Sequence, residues 1–429
     1  MGEPLALEAL RQGATGVGFR EGRDWLLSPE PLRLEAGLWG KMERMGHPLR
    51  MFQQAGEQVY RRSVNGSLPG WIAELLDAGK PAWMVEAQRE EGMRMVAPRV
   101  IRPDLLLREG EFAVSELDSV PGGIGLTGWL SEIYGAAGWE VAGGAGGMLE
   151  GFRSLLPKGG EILVSEESAD YRQEMDWLAE RLSAGSDLSW RIGSAENYEG
   201  GEEAVYRFFE LFDWENIPAL RSMAGRKDVT PPIKPLYEEK LWLSLLHSPA
   251  LGPVWEQEMR GAHLQRLREL VPYGWVVDPA PLPPHAALPR LEVGSWKQVA
   301  RFSQKQRRLA LKVSGFSEQA WGSRGVVIGH DVSGEEWAAA LERACGDFDT
   351  QPWVMQEFCE AKVIEHPYYD AETGEVRTME GRVRLCPYFF VDGGGKTKMG
   401  GCLASIVPAD KKKIHGMRDA ILVPVVRGE

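Results

Sequence analysis

The chain has 429 residues, of which 43% are hydrophobic and 26% are charged, a composition typical of a soluble globular protein with two or three domains. Its formal net charge is −13, and it has no basic patch long enough to follow a phosphate backbone, which argues against a nucleic-acid partner. No stretch of about 18 uninterrupted apolar residues offers a membrane span.

The N-terminus and the cysteines predict a cytoplasmic protein. The first residues, MGEPLALEALRQG, are acidic and contain neither the basic region nor the long apolar core of a signal peptide. The four cysteines are Cys345, Cys359, Cys386 and Cys402. None forms a C-x-x-C pair, so we expect reduced thiols with a structural role.

The elements of the first half of the chain differ in their periodicity. Apolar residues recur at helical spacing over residues 28–95, which predicts helices. Two short apolar runs flank turn residues in 101–118, which predicts a β-hairpin. Strand and helix patterns alternate over residues 161–220, which predicts a small α/β layer domain.

The second half begins after a proline-rich segment, DVTPPIKP, at residues 228–235. Strand patterns around one helix predict an α+β unit over residues 309–425. We therefore expect an α+β fold in which N-terminal helices and an inserted small α/β layer domain accompany the main core. The expected parts are residues 1–150, 151–230 and 231–429.

Three carboxylates are expected to converge on the predicted hairpin. Glu116 and Asp118 are two residues apart on one strand, so their side chains share a face, and a turn near residue 110 brings Asp104 opposite them. Carboxylates that repel each other are relieved by a hard cation, and oxygen ligands suit Mg²⁺. The alternative is a plain exposed face with charged residues.

A lysine followed by a glycine-rich loop predicts a phosphate-binding segment. Lys312 lies on the strand LALKV, and Gly315, Gly322, Ser323 and Gly325 follow before the next strand. Small residues let backbone N–H groups approach an anion, and the lysine adds a positive charge. The alternative is an ordinary hairpin loop, because glycine is common in turns.

Two later strands carry further candidates. Gln356 and Glu357 end the apolar strand WVMQEF, where backbone groups can meet a flat heterocycle such as adenine. Arg382 and Arg384 share one face of the next long strand, and paired arginines can hold phosphate or carboxylate. Each pattern also occurs in strands that only pack or face solvent.

One motif matches a dinucleotide fingerprint by its letters alone. Gly123, Gly125 and Gly128 fit G-x-G-x-x-G in GIGLTG. That fingerprint needs an apolar strand running into the first glycine, and here the preceding residues are Glu-Leu-Asp-Ser. The pattern therefore favours close packing beside the carboxylates over NAD(P) binding.

Taken together, these blocks resemble the circularly permuted ATP-grasp family that includes the synthetase part of glutathionylspermidine synthase. In that family the metal-binding strands precede the glycine-loop lysine, as they do here. Arg102, Asp104 and Glu116 match the family's early motif. Asp118 stands where the family usually has asparagine.

The resemblance extends to the nucleotide site. Segment 233–255 resembles the family's lysine-bearing helix, with Lys240 at the ATP-binding position. Lys312 and its loop resemble the second lysine and the glycine-rich flap, although Val313 replaces the usual proline. The strand ending in Gln356 and Glu357 matches the strand that contacts adenine.

The resemblance implies a circularly permuted ATP-grasp-like fold and a ligase that uses ATP and Mg²⁺. Asp104, Glu116 and Asp118 would hold the metal, and Arg102 and Arg384 would stabilise developing charge. A small-molecule carboxylate would become an acyl phosphate and react with an amine. Arg382 is an alternative to Arg384.

Two rival functions stay open at this point. Asp118 and the missing Lys-Pro pair motivate a nucleotide-binding homologue without ligase activity. The GIGLTG motif motivates, more remotely, a dinucleotide-dependent oxidoreductase. The identities of the acid and amine and the oligomeric state do not follow from the sequence.

Overall fold

The computed structural model describes residues 2–16, 19, 24–184, 187–201, 203–322, 324–412, 414 and 418–429. It is a mixed α/β protein with several sheets. The chain divides into two compact units: unit 1 contains Met1–Met51, Glu90–Ile233 and Glu360–Glu429, and unit 2 contains Phe52–Arg89 and Lys234–Cys359. Each unit is built from segments that are distant in sequence. The three-part division expected from the sequence stays a prediction.

The described helices follow in chain order. They are Leu7–Gly16 (α1), Ala36–Glu43 (α2), Gly46–Val64 (α3), Trp71–Asp77 (α4), Ala82–Arg89 (α5), Ile124–Ala136 (α6), Gly147–Leu155 (α7), Arg172–Ser183 (α8), Leu220–Met223 (α9), Leu241–Leu245 (α10), Gly252–Glu258 (α11), Gly261–Leu270 (α12), Trp296–Val299 (α13) and Gly334–Gly346 (α14). None of these described helices combines the length and the apolar character needed to cross a membrane.

The described strands form three sheets. They are Asp24–Leu26 (β1), Leu32–Leu34 (β2), Val100–Arg108 (β3), Glu111–Asp118 (β4), Gly160–Val164 (β5), Trp190–Ser194 (β6), Val205–Phe208 (β7), Val229–Thr230 (β8), Gly274–Val276 (β9), Leu309–Val313 (β10), Val327–Ile328 (β11), Trp353–Glu357 (β12), Val363–Tyr369 (β13), Val376–Val391 (β14), Thr397–Pro408 (β15) and Arg418–Arg427 (β16).

The larger sheet of unit 1 has the order β1-β16-β15-β14-β3-β4, with β13 also paired to β14 and β2 to β16. The predicted hairpin is confirmed as the antiparallel pair β3–β4. The long strand β14 lies antiparallel to β3, which brings a late segment of the chain beside the hairpin. Alternate residues of β14, such as Val383 and Leu385, are fully buried in the core.

The helices predicted over residues 28–95 are present as α2 to α5, but the first part of that prediction is wrong. Residues 32–34 form strand β2, whose Leu32 pairs in parallel with Val425 of β16. A strand of three residues with a partner at the far end of the chain leaves little local signal.

The second sheet of unit 1 has the order β6-β5-β7-β8, and all its strands are parallel. Helix α8 connects β5 to β6. The alternation predicted for residues 161–220 is therefore present, whereas its standing as an inserted domain stays a prediction. Helix α6 lies close to α8, because a Cβ at Gly125 would come 2.3 Å from the carbonyl oxygen of Glu174.

The sheet of unit 2 has the order β11-β10-β12-β9 and is antiparallel throughout. One face packs against helix α14 in a buried cluster that includes Leu311, Trp337 and Trp353. Helix α14 begins with a capping box, in which Ser333 and Glu336 exchange hydrogen bonds between side chain and backbone. The side chain of Lys312 alternates to the opposite face.

Candidate functional site

The β3–β4 hairpin places the predicted carboxylates in register. Asp104 is paired with Glu116, and Arg102 is paired with Asp118. Directly opposed residues of an antiparallel pair project to the same face, so these four side chains share one face of the sheet. The convergence expected from the sequence is therefore present. These residues and Arg384 are called the arginine–carboxylate cluster below.

Two arginines bind the carboxylates within this cluster. Nε of Arg102 lies 3.1 Å from Oδ1 of Asp104, and its Nη2 lies 2.8 Å from Oδ2 of Asp118. Nη1 of Arg384 donates to Oδ2 of Asp104 at 2.9 Å. Arg384 reaches Asp104 from β14. Arg382, the alternative, instead binds Glu360 at 2.9 Å and the carbonyl oxygens of residues 361 and 409.

The pKa values of the two aspartates are shifted in opposite directions, because the arginines outweigh burial at Asp104 but not at Asp118. Asp104 is only 4% exposed. Burial alone would raise the pKa of its carboxyl, but the guanidinium groups of Arg102 and Arg384 hold that pKa below its ordinary value. Burial raises the pKa of Asp118 against the attraction of Arg102, and the charges of Glu116 and Asp104 add to the rise.

The buried guanidinium groups retain unused donors. Nε of Arg384 is buried and makes no hydrogen bond among the described residues, whereas Nε of Arg102 is 3.1 Å from Oδ1 of Asp104 but is not aligned for a hydrogen bond. Buried donors without acceptors are uncommon in folded proteins. Nε of Arg384 could therefore hydrogen-bond a further anionic oxygen after a small side-chain movement.

Carboxylate oxygens are ligands that suit Mg²⁺, but the aspartate oxygens of the cluster already have partners. Both oxygens of Asp104 lie against arginines, and Oδ1 of Asp118 accepts from the N–H of Val120 at 2.8 Å. Within the described part of the chain, no three His, Cys, Asp or Glu side chains are grouped as a ready metal site. Binding of a cation here requires some of these partners to be exchanged.

Two neighbours of the cluster were missed by the sequence reasoning. The thiol of Cys386 donates to Oδ1 of Asp104 at 3.5 Å, and burial raises the pKa of that thiol to about 12. The hydroxyl of Tyr388 donates to the carbonyl of Gly122 at 2.7 Å, and Nη1 of Arg102 donates to the same oxygen at 3.1 Å. The period of two along a strand indicates both neighbours, since the side chains of residues 384, 386 and 388 lie on one face of β14.

In unit 2 the structure joins Lys240 to the glycine-rich loop. Lys240 immediately precedes α10, and its backbone N–H donates to the carbonyl of Ser314 at 3.1 Å. Its Nζ donates to the carbonyl of Ala320 at 2.9 Å. Leu241 N–H donates to the hydroxyl of Ser314 at 2.9 Å. Lys240 and Leu241 therefore hold the loop by hydrogen bonds at Ser314, and Lys240 also holds it at Ala320.

Lys312 and Gln356 also come together. They lie on adjacent antiparallel strands, β10 and β12, and Nζ of Lys312 donates to Oε1 of Gln356 at 3.1 Å. Glu357 alternates to the opposite face and pairs with Arg290 at 3.1 Å. Lys240, Lys312, Gln356 and the loop of residues 314–325 are called the lysine–loop cluster below.

The glycines of the loop have different surroundings. A Cβ at Gly315 would lie 2.5 Å from the carbonyl oxygen of Glu238, so only glycine fits there without a shift. A Cβ at Gly325 would lie 2.7 Å from the carbonyl oxygen of Gln319, and Gly322 has a positive φ of 60°. Ser323 lies outside the described residues.

The base of the loop is anchored by a buried ion pair that the sequence reasoning missed. Nζ of Lys80 lies 2.6 Å from Oε1 of Glu239, and each side chain is 1% exposed. The hydroxyl of Ser314 donates to the other oxygen of Glu239. Glu239 directly precedes Lys240 in segment 233–255, but Lys80 belongs to no recognisable motif and is far from the loop in sequence.

No protein-family model and no curated protein matches this sequence. Among solved structures, the chain is similar to a glutathione synthetase-like effector from Globodera pallida in its apo form. The TM-score is 0.56 at 13% identity, over 99% of this chain and 98% of that one. A provisional γ-glutamylcysteine synthetase from Methylobacillus flagellatus gives 0.40 at 12% identity over 88% of each chain, which supports no conclusion. The first similarity shows the fold alone.

Proposed function

We propose that this protein is an ATP- and Mg²⁺-dependent ligase of the ATP-grasp type, which joins a carboxylate to an amine. The observation that carries the proposal is the lysine–loop cluster, in which Lys240 contacts the loop that directly follows Lys312. Two lysines supply positive charge and a glycine-rich loop supplies accessible backbone N–H groups, and both suit the binding of a polyphosphate. The fold shared with a synthetase-like protein agrees with this assignment.

The lysine–loop cluster is proposed to bind the nucleotide phosphates. The ammonium groups of Lys240 and Lys312 donate to a backbone carbonyl and to an amide oxygen, both neutral. A hydrogen bond between an ammonium group and an anionic phosphate oxygen is stronger than one to a neutral oxygen, so the lysines would exchange these partners for phosphate oxygens. Release of Ala320 from Lys240 would then free the loop to cover the nucleotide and exclude water.

The arginine–carboxylate cluster is proposed to stabilise charge during transfer. Mg²⁺ held by Asp104, Glu116 and Asp118, after some of their present partners are exchanged, would neutralise phosphate charge. Asp104 holds the guanidinium groups of Arg102 and Arg384 in place before any reaction begins. Preorganised donors of this kind stabilise developing negative charge at little reorganisation cost.

The expected reaction has two steps. A carboxylate oxygen of the acid substrate attacks the γ-phosphorus of ATP, and ADP leaves. The amine nitrogen then attacks the acyl carbon of the acyl phosphate, and inorganic phosphate leaves as the amide forms. Phosphoryl transfer of this type depends mainly on positioning and charge neutralisation.

A thermal-shift comparison tests the nucleotide part of the proposal. Mg-ATP should raise the melting temperature of the wild type, because a ligand that binds only the folded state stabilises it. Lys312→Gln should abolish that rise, and Lys297→Gln, an exposed lysine of α13, should keep it. Stabilisation by NAD(P)H and not by Mg-ATP would overturn the proposal.

A nucleotide-binding homologue without ligase activity is the second candidate. The observation that favours it is that arginines engage both Asp104 and Asp118. Mg-ATP binding without ADP release, across a panel of acids and amines, would support it. The oxidoreductase alternative loses its basis, because the strand before GIGLTG belongs to an antiparallel hairpin and not to a parallel βαβ unit.

A further inference from the structure

Unit 2 contains a cavity of about 490 Å³ that the proposed nucleotide site does not use. Its volume falls within the range of small-molecule sites. It is lined by parts of α4, by residues at and after the end of α10, and by strand β9 with its neighbours. None of the lysine–loop residues is among its described lining residues, so any ligand here would occupy a separate site.

Aromatic rings form much of the wall. Trp71, Tyr273 and Trp275 all line the cavity, and Trp71 is 39% exposed. The ring of Tyr273 lies with its centroid 4.9 Å from that of Trp275. The guanidinium of Arg290 already sits over the Tyr273 ring at 4.3 Å, so this wall attracts cations.

All the charged groups described in the lining are acidic. They are the carboxylates of Glu74, Asp278 and Asp349, and no lysine or arginine is among the described lining residues. Oδ1 of Asp278 accepts from a backbone N–H, that of Ala280, at 2.8 Å. Glu74 and Asp349 are exposed at the cavity. Three negative charges beside aromatic rings favour a positively charged ligand.

The remaining polar side chains add acceptors. Ser244 is only 5% exposed and is one of the residues that line the cavity. Nε2 of His247 lies 3.0 Å from the carbonyl of Val271, so that nitrogen carries the proton. Burial, with the nearby charges of Arg290 and Arg268, lowers the pKa of His247, which leaves the imidazole neutral near pH 7.

We propose that this cavity binds an organic cation, an ammonium group carried on an aromatic or apolar body. The rings would contact the body of the ligand, and the carboxylates with Ser244 would accept hydrogen bonds from its ammonium group. This inference goes beyond the proposed ligase activity and does not rest on it.

Three probes that share one ring system test the role of charge. Tryptamine is a cation, tryptophol is its neutral alcohol analogue, and indole-3-acetate is an anion. In isothermal titration calorimetry with the full-length protein, tryptamine should bind about ten-fold or more tightly than tryptophol, and indole-3-acetate should not bind. Equal affinity for tryptamine and tryptophol, or no binding of tryptamine, would overturn the proposal.

Paired variants locate the binding. The double variant Glu74→Gln with Asp349→Asn should weaken tryptamine binding about ten-fold and leave tryptophol unchanged, because only the charge attraction is removed. The control is Glu256→Gln with Glu342→Gln, two exposed acids of unit 2 outside the cavity, which should bind as the wild type does. Equal losses in both double variants would contradict binding in this cavity.

A second pair separates this site from the nucleotide site. Trp71→Ala should weaken both tryptamine and tryptophol, because it removes part of the aromatic wall. Lys312→Gln should leave tryptamine binding intact while Mg-ATP stabilisation is lost. Loss of tryptamine binding in Lys312→Gln would place the cation elsewhere and sink the inference, whatever the outcome for the ligase.

Discussion

The arginine–carboxylate cluster and the lysine–loop cluster hold their charged groups in different ways. In the first, Asp104 on β3 binds arginines from its own strand and from β14, within a sheet of long strands. In the second, lysines donate to the neutral oxygens of Ala320 and Gln356 beside a glycine-rich loop. Ion pairs with two arginines hold Asp104 in the first cluster, whereas the oxygens of Ala320 and Gln356 that the lysines bind in the second are neutral.

We therefore expect substitutions in the arginine–carboxylate cluster to change mainly the stability of the fold, and substitutions in the lysine–loop cluster to change mainly the binding of an anion. Removing one member of a buried ion-pair network leaves an uncompensated charge, which destabilises the fold. Loss of a hydrogen bond to a neutral oxygen costs less in folding, and loss of the lysine charge weakens the binding of an anion. Unit 2 also has a buried pair, Lys80–Glu239, but it lies at the base of the loop and not among the groups proposed to meet the nucleotide.

The largest expected effect comes from Asp104→Asn. Arg102 keeps Asp118, but Arg384 loses the carboxylate that its Nη1 binds, so the free energy of unfolding should fall by about 3 kcal/mol. Urea denaturation measures the change, with Asp410→Asn, an exposed aspartate of unit 1, as the control. A loss no larger than that of the control would mean that Asp104 does not hold the cluster together.

The same variant gives a pH test. Asp104 has its pKa lowered by the arginines, so the folded state binds fewer protons than the unfolded state as the pH falls through the unfolded value of about 3.9. Its stabilisation is fully present above that value and is lost at lower pH. The difference in melting temperature between wild type and Asp104→Asn should therefore shrink from pH 7 to pH 3. A constant difference would contradict the ion-pair account.

A glycine substitution tests the lysine–loop cluster at its tightest point. Gly315→Ala should lower the free energy of unfolding by about 1–2 kcal/mol, because its Cβ meets the Glu238 carbonyl at 2.5 Å. It should also reduce the melting-temperature rise produced by Mg-ATP. Gly252→Ala is the control, since a Cβ there meets nothing within 4 Å. If both variants respond alike to Mg-ATP, the close approach at Gly315 has no role in binding.

The smallest effect is expected for Asp118→Asn. Its raised pKa reflects burial and repulsion from Glu116 and Asp104, so loss of this charge offsets the loss of the Arg102 pair. Stability should stay within about 1 kcal/mol of the wild type. Mg-ATP stabilisation should persist or increase. Its complete loss would make the third carboxylate essential and would undo the match of this position to the family's asparagine.

Local patterns predicted the parts of each cluster, and distant pairings completed them. The hairpin and the register of Asp104 with Glu116 followed from alternation and a turn. The bond from Arg384 to Asp104 joins residues 280 apart in sequence, and strand order fixes it. The strand at Leu32–Leu34 differs from the predicted helix for the same reason: its partner β16 is distant in sequence, so local periodicity does not indicate the pairing.

Polar groups that support the clusters were the hardest to predict. Lys80 belongs to no motif, and its pairing with Glu239 depends on how a helical segment and the loop pack within unit 2. Cys386 and Tyr388 were within reach of the period-two rule, yet both read as ordinary core residues of an apolar strand. Sequence periodicity indicates which face a side chain occupies, whereas its partner depends on the neighbouring strand.

The central claim is that the protein uses ATP to activate a carboxylate for attack by an amine. The direct measurement is ADP release by the wild type with Mg-ATP and a panel of acids and amines, each tested alone and together. We expect ADP release that requires both an acid and an amine and that disappears in Lys312→Gln. ADP release that is independent of both, or that is equal in Lys312→Gln, would contradict the account.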